Sequence, residues 1–138
     1  MNPISALLSL LAWIGVWFFW LETTRNHHPT TSLALIVTTS LVLAYAIAAY
    51  LNHLVLLPRF GKRGHWLTYA MLLLGSMVAL TAAALAVIRV SYERIWGPDA
   101  DPYGVFKHFA IDLFGMAVHL IAAAFVVFVY RRVRTWRS

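Results

Sequence analysis

Apolar residues run in four long blocks, and the polar residues fall mostly between them. The blocks cover about residues 4–21, 32–57, 66–88 and 105–130. Each holds about 18 or more residues with few charges, and about 20 helical residues cross a hydrocarbon core of roughly 30 Å. Backbone polar groups in lipid must be satisfied within their own segment unless a barrel closes, and no block alternates as barrel strands do. The pattern predicts an all-α integral membrane protein, with four transmembrane helices in an antiparallel bundle and one domain over residues 1–138.

Composition agrees: of 138 residues, 62% are hydrophobic and 12% charged, more apolar surface than a soluble fold of this size hides. The first block is read as a retained helix. It has no Lys or Arg ahead of it, it is long and rich in Trp and Phe, and Leu21 to His28 offers no small-residue cleavage site. The chain has no cysteine, which excludes disulfides, thiolate chemistry and cysteine-held metal or iron–sulfur sites.

Charge sets the expected threading. Arg59, Lys62, Arg63, Arg131, Arg132, Arg134 and Arg137 lie in the second loop and the C-terminal tail, with no acid among them. Arg25, Arg89, Arg94 and Lys107 lie on the other side with all five acids, Glu22, Glu93, Asp99, Asp101 and Asp112. The positive-inside rule places both termini and the second loop in the cytoplasm of a bacterial inner membrane. The basic groups then meet anionic lipid head groups, each contact worth about 1 kcal/mol. Nucleic acid is not an expected partner, because these cations sit at the ends of spanning helices and form no basic fold of their own.

Several local features point to packing. Trp13, Trp17 and Trp20 share a face of the first helix, with Trp20 expected in the outer aromatic belt and the other two in packing contacts. His27 and His28 read as a solvated pair, and the Asp99/Asp101 pair as a solvated turn lacking the rest of a calcium loop. Ala44, Tyr45, Ala48 and Ala49 on helix two, and Gly75, Ala79, Ala83 and Val87 on helix three, form small-residue faces that predict a tight bundle.

Ionisable groups at membrane depth are functional suspects by default. His108, Asp112 and His119, with Gly115 between them, share one face of helix four. Such a stripe relays protons or holds the helix to hydroxyls such as Thr38, Thr39, Ser76 or Thr81; both readings stand at this point. His53 and His119 are the weak candidates for a cofactor, but they differ in depth by roughly 10 Å at 1.5 Å per residue, a poor match for axial haem ligation. No nucleophile triad, phosphate loop or di-acidic pair is evident, so no enzyme activity, no metal site and no cofactor are expected.

The segment NHLVLLPRFGKRGHWLTY reads as a cytoplasmic turn. Pro58 is expected to end helix two, Arg59, Lys62 and Arg63 to anchor at phosphate depth, Gly61 and Gly64 to reverse the chain, and Trp66 and Tyr69 to seat helix three. Its wording, through Tyr50, Leu51, Asn52, Leu56, Leu57, Pro58, Arg59, Phe60, Lys62, Arg63 and Tyr69, resembles the join between helices two and three in the membrane sensor region of LytS/YehU-type histidine kinases, which work with LytTR regulators. The four-helix layout and the basic exit RRVRTWRS fit that resemblance too. In that family helix four continues into a phosphorylated segment and an ATP-binding domain, whereas this sequence ends at Ser138. The resemblance thus implies a sensor-like membrane module without a kinase, and no catalytic residue is carried over.

The expected function is a non-catalytic inner-membrane module acting through packing, as a homo-oligomer or with a partner. The alternatives are an accessory subunit of a respiratory or photosynthetic membrane complex, and a redox or proton-handling protein using its histidines.

Overall fold

The computed structural model describes residues 2–97 and 105–136. No strand occurs among them. Helix α1 spans Pro3–Thr24 and ends in a 3-10 turn, Arg25–His27. Helix α2 spans Thr31–Leu51 and continues through a π turn, Asn52–Leu56, into the short α3, Leu57–Phe60. Helix α4 spans Trp66–Ile95 and α5 spans Val105–Trp136. Together these make four rods long and apolar enough to cross a membrane.

Local chemistry explains where the rods start. Asn2 caps α1 by accepting from the Ile4 amide at 3.0 Å, and Pro3 occupies the first helical position, where no amide is needed. Thr30 caps α2 through the Leu33 amide at 3.2 Å. The rods α4 and α5 run past the ends of the apolar blocks, to Ile95 and Trp136. Hydropathy marks only the part that needs lipid, and a 30-residue helix is about 45 Å long against a core of roughly 30 Å. The overhang of α4 carries an exposed Arg89–Glu93 ion pair at 3.0 Å.

Pro58 does not end the second rod. The helix runs through it to Phe60, and the adjustment lies one turn upstream. Proline has no amide hydrogen and its ring crowds the carbonyl of the preceding turn. Here that turn widens, so that the Leu57 amide reaches back five residues to the Asn52 carbonyl. The stop comes at Gly61, whose amide bonds to the Leu57 carbonyl at 2.9 Å. A Cβ there would lie 2.4 Å from the same oxygen. Gly64, at φ +95°, then turns the chain into α4.

Helix α2 is the hub, packing against α1, α4 and α5. Ala44, Tyr45, Ala48, Met77, Ala84, Met116 and Leu120 form the core, with Trp13 of α1 against its edge. The small residues of α2 let its neighbours approach closely. Helix α1 buries no residue completely. It lies along α2, with a Ser9–Tyr50 hydroxyl contact near one end and Trp17 Nε1 donating to Thr39 Oγ1 at 3.0 Å further on.

The small-residue line of α4 does not help close the fold. Gly75, Ala79, Ala83 and Val87 are all exposed, and a Cβ at Gly75 would meet nothing within 4 Å. The buried residues of α4, Met77, Thr81 and Ala84, lie opposite Gly75 and Ala79 at about 100° per residue, with Ala83 and Val87 to one side. The rest of the outer surface is strongly apolar, with Phe114 and Ile121 each 72% exposed. Large bare apolar patches are rare on soluble monomers and ordinary on a surface that faces acyl chains.

Candidate functional site

The polar contacts at membrane depth converge on His119. Its position is about 21 Å along α5 from Val105 at 1.5 Å per residue, near the middle of the rod. The Nδ1 atom lies 2.7 Å from the Gly115 carbonyl, one turn back on the same helix. A carbonyl only accepts, so Nδ1 carries a proton. Trp20 Nε1 of α1 lies 3.0 Å from Nε2. An indole N–H only donates, so Nε2 has none. The two contacts together define one neutral tautomer, with both ring nitrogens used.

The imidazole face is covered as well. Tyr45 of α2 stacks on it with ring centroids 4.4 Å apart and planes 27° apart. Gly115 makes room for that ring, since a Cβ there would sit 2.8 Å from the Tyr45 hydroxyl oxygen. One turn from Gly115 toward the N-terminal end of α5, Asp112 is half-buried and within electrostatic reach of both Tyr45 and His108. The site thus draws Trp20, Tyr45 and the α5 stripe into one cluster across three helices.

His108, Asp112 and His119 are all half-buried on their shared face of α5. Three of the four hydroxyls expected to receive this stripe are engaged elsewhere. Thr39 accepts from Trp17, Ser76 donates to the Leu73 carbonyl at 2.8 Å, and Thr81 contacts Met116 Sδ at 3.8 Å. The Thr38 hydroxyl is buried without a partner among the described residues. Trp20 is half-buried at the cluster, where its indole donates to His119. Tyr45 was legible only as part of a small-residue face; a lone tyrosine opposite a glycine within an aliphatic span is the signal that marks it.

His53 lies in the π turn, half-buried. It is eight residues beyond Tyr45, which stacks on His119, so the two imidazoles sit about 12 Å apart along the helix direction. With both nitrogens of His119 occupied, this pair does not form an axial ligand set. Among the described residues no group of three or more His, Cys, Asp or Glu is placed to hold a metal ion.

At the basic end, Pro58, Arg59, Lys62, Arg63, Arg131, Arg132 and Arg134 are all exposed, and Arg132 lies over the Trp136 ring at 5.8 Å. Tyr69 of α4 donates to Asn52 Oδ1 in the π turn at 2.7 Å, clamping the two rods beside the reversal. At the other end His27 is exposed, but His28 is half-buried and its Nδ1 hydrogen-bonds the Tyr92 hydroxyl of α4. This corrects the reading of both as solvated. Burial, and secondarily the neighbouring His27, lower the His28 pKa from its ordinary value. Asp99, Asp101 and Arg137 lie outside the described residues.

No known protein family, curated protein or solved structure matches the chain.

Proposed function

We propose that this chain is a non-catalytic, multi-pass protein of a bacterial inner membrane, a sensor-domain-like module that works by packing against a second copy of itself. Both termini and the Arg59–Arg63 turn lie in the cytoplasm on this reading. The observation that carries it is the outward line of small residues on α4. Ala82 and Ala86 extend Gly75 and Ala79 along a smooth exposed strip, of the kind that lets helix backbones approach in lipid. The same strip ends at Arg89 and Glu93, one charge of each sign. In a parallel copy related by a two-fold axis identical residues meet at the same depth, and each Arg89 comes within one helical turn of the copy's Glu93, which supports self-association.

The sensor-like reading draws on the turn. Three positions that carry the resemblance to LytS/YehU-type sensor regions have structural work here: Tyr50 bonds Ser9, and Asn52 bonds Tyr69. Native mass spectrometry from nanodiscs tests the proposal. A dimer is expected, with monomer for the Gly75→Leu/Ala79→Leu variant. A stoichiometric foreign subunit would transfer the same face to the accessory-subunit reading. A wild-type monomer would remove the proposal.

A further inference from the structure

The hydrogen-bond polarity at His119 has a consequence that does not depend on what α4 docks against. Its two ring nitrogens hold opposite roles: Nδ1–H donates to the Gly115 carbonyl and bare Nε2 accepts from the Trp20 indole. Imidazole is the side chain whose charge ordinarily changes between about pH 5 and 8. A second proton on this ring can go only to Nε2, because Nδ1 already carries one. The new N–H would then point at the indole N–H, two donors facing each other with no acceptor between them.

We propose that His119 is a proton-operated latch, in which protonation of Nε2 expels Trp20 and unfastens α1 from α5. A proton from water forms the Nε2–H bond, and the Trp20–His119 hydrogen bond is lost; no other bond changes. The element released is one the fold leaves loosely held. Helix α1 buries no residue completely, and it otherwise packs along α2. Among the described residues, side-chain hydrogen bonds from Ser9 to Tyr50 and from Trp17 to Thr39 also tie it to α2 and can act as the pivot. Unfastening therefore need not disturb the α2, α4 and α5 core.

The groups around His119 support a discrete switch. From α1 it faces Trp20, which does not titrate. From α2 it faces Tyr45, whose ring stacks on the imidazole. On α5 the titratable neighbours are Asp112, two turns outward, and His108 beyond it. Helix α4 contributes Met77, Thr81 and Ala84 to the adjoining core, none of them titratable.

The absence of native cysteine makes the test clean. Spin labels at Thr23→Cys on α1 and Val118→Cys on α5, both exposed positions, report the distance between the helices in nanodiscs, while 15N-histidine spectra of the same protein report the ring state of His119. The Nδ1–H tautomer with a short interhelix distance is expected at high pH. On acidification toward about pH 4, the appearance of the doubly protonated ring should be accompanied by a shift to longer distances with the same midpoint. His119→Asn, whose amide oxygen can accept from Trp20 but does not titrate, should stay short throughout. Trp20→Phe should lose the pH dependence. The latch is overturned if His119 takes no second proton over that range, if the distance stays constant while it does, or if His119→Asn lengthens with the same midpoint.

Discussion

Gly115→Ala is the substitution whose outcome the structure determines most fully. A methyl group at this position would lie 2.8 Å from the Tyr45 hydroxyl oxygen and 3.6 Å from the ring carbon that bears it. The hydroxyl cannot easily swing aside, because Tyr45 is 6% exposed and stacked on His119. Overpacking of this kind costs about 1–3 kcal/mol. Replacing a mid-helix glycine by alanine returns about 1 kcal/mol of backbone propensity. The net expectation is a loss of up to about 2 kcal/mol. Tyr45→Phe removes the obstructing oxygen and leaves the 3.6 Å contact, which is ordinary van der Waals distance. In that background Gly115→Ala should be neutral or stabilising by up to about 1 kcal/mol. Reversible unfolding in mixed micelles, followed by tryptophan fluorescence, gives the four stabilities of the cycle. A coupling of about 1–3 kcal/mol is expected. A coupling below about 0.5 kcal/mol would refute the claim that Gly115 exists to admit the Tyr45 ring.

Other parts of the fold give independent expectations. Tyr69→Phe removes the 2.7 Å bond to Asn52 and should cost about 1 kcal/mol in the same assay; no change in stability would show that the clamp contributes nothing. Pro58→Ala restores an amide and removes the ring, so the Asn52–Leu56 turn should relax toward α-helical 13C shifts, and persistence of the π pattern would mean that something other than proline widens it. His28 binds its proton less readily folded than unfolded. Its contribution is therefore present above pH about 6.5 and lost as pH falls through the lower folded value. Unfolding midpoints measured against pH should decline on that acidic side, and His28→Gln should flatten the decline; an identical slope in both proteins would assign it to another group.

The spanning rods were legible because lipid imposes a requirement that hydropathy alone can meet, with no need to know which residues touch. The helix ends were less so, since Arg89 to Ile95 and Arg131 to Trp136 stay helical in a zone where either backbone state is tolerated. At the turn, Gly61 and Gly64 announced the reversal, but Pro58 announced a stop that does not occur. A proline states which hydrogen bond is missing and leaves open whether the chain ends or widens the turn before it. The α4 stripe shows the same limit. Spacing placed Gly75, Ala79 and Ala83 on one face, and only the packing of α4 showed that the face points outward. At the candidate site the α5 stripe was visible from spacing, whereas Trp20 and Tyr45 were not tied to it, because contacts between helices depend on tilt and ring reach that periodicity does not encode.

The depth assigned to His119 rests on the four rods crossing the bilayer with both termini on the basic side. Single cysteines at Lys62, Arg134, Arg25 and Glu93, labelled in oriented membranes by an impermeant maleimide, measure this directly. Lys62→Cys and Arg134→Cys should label from the cytoplasmic face alone, and Arg25→Cys and Glu93→Cys from the outer face alone. Labelling of Lys62→Cys and Arg134→Cys from opposite faces would contradict the threading and the depth of the cluster built on it.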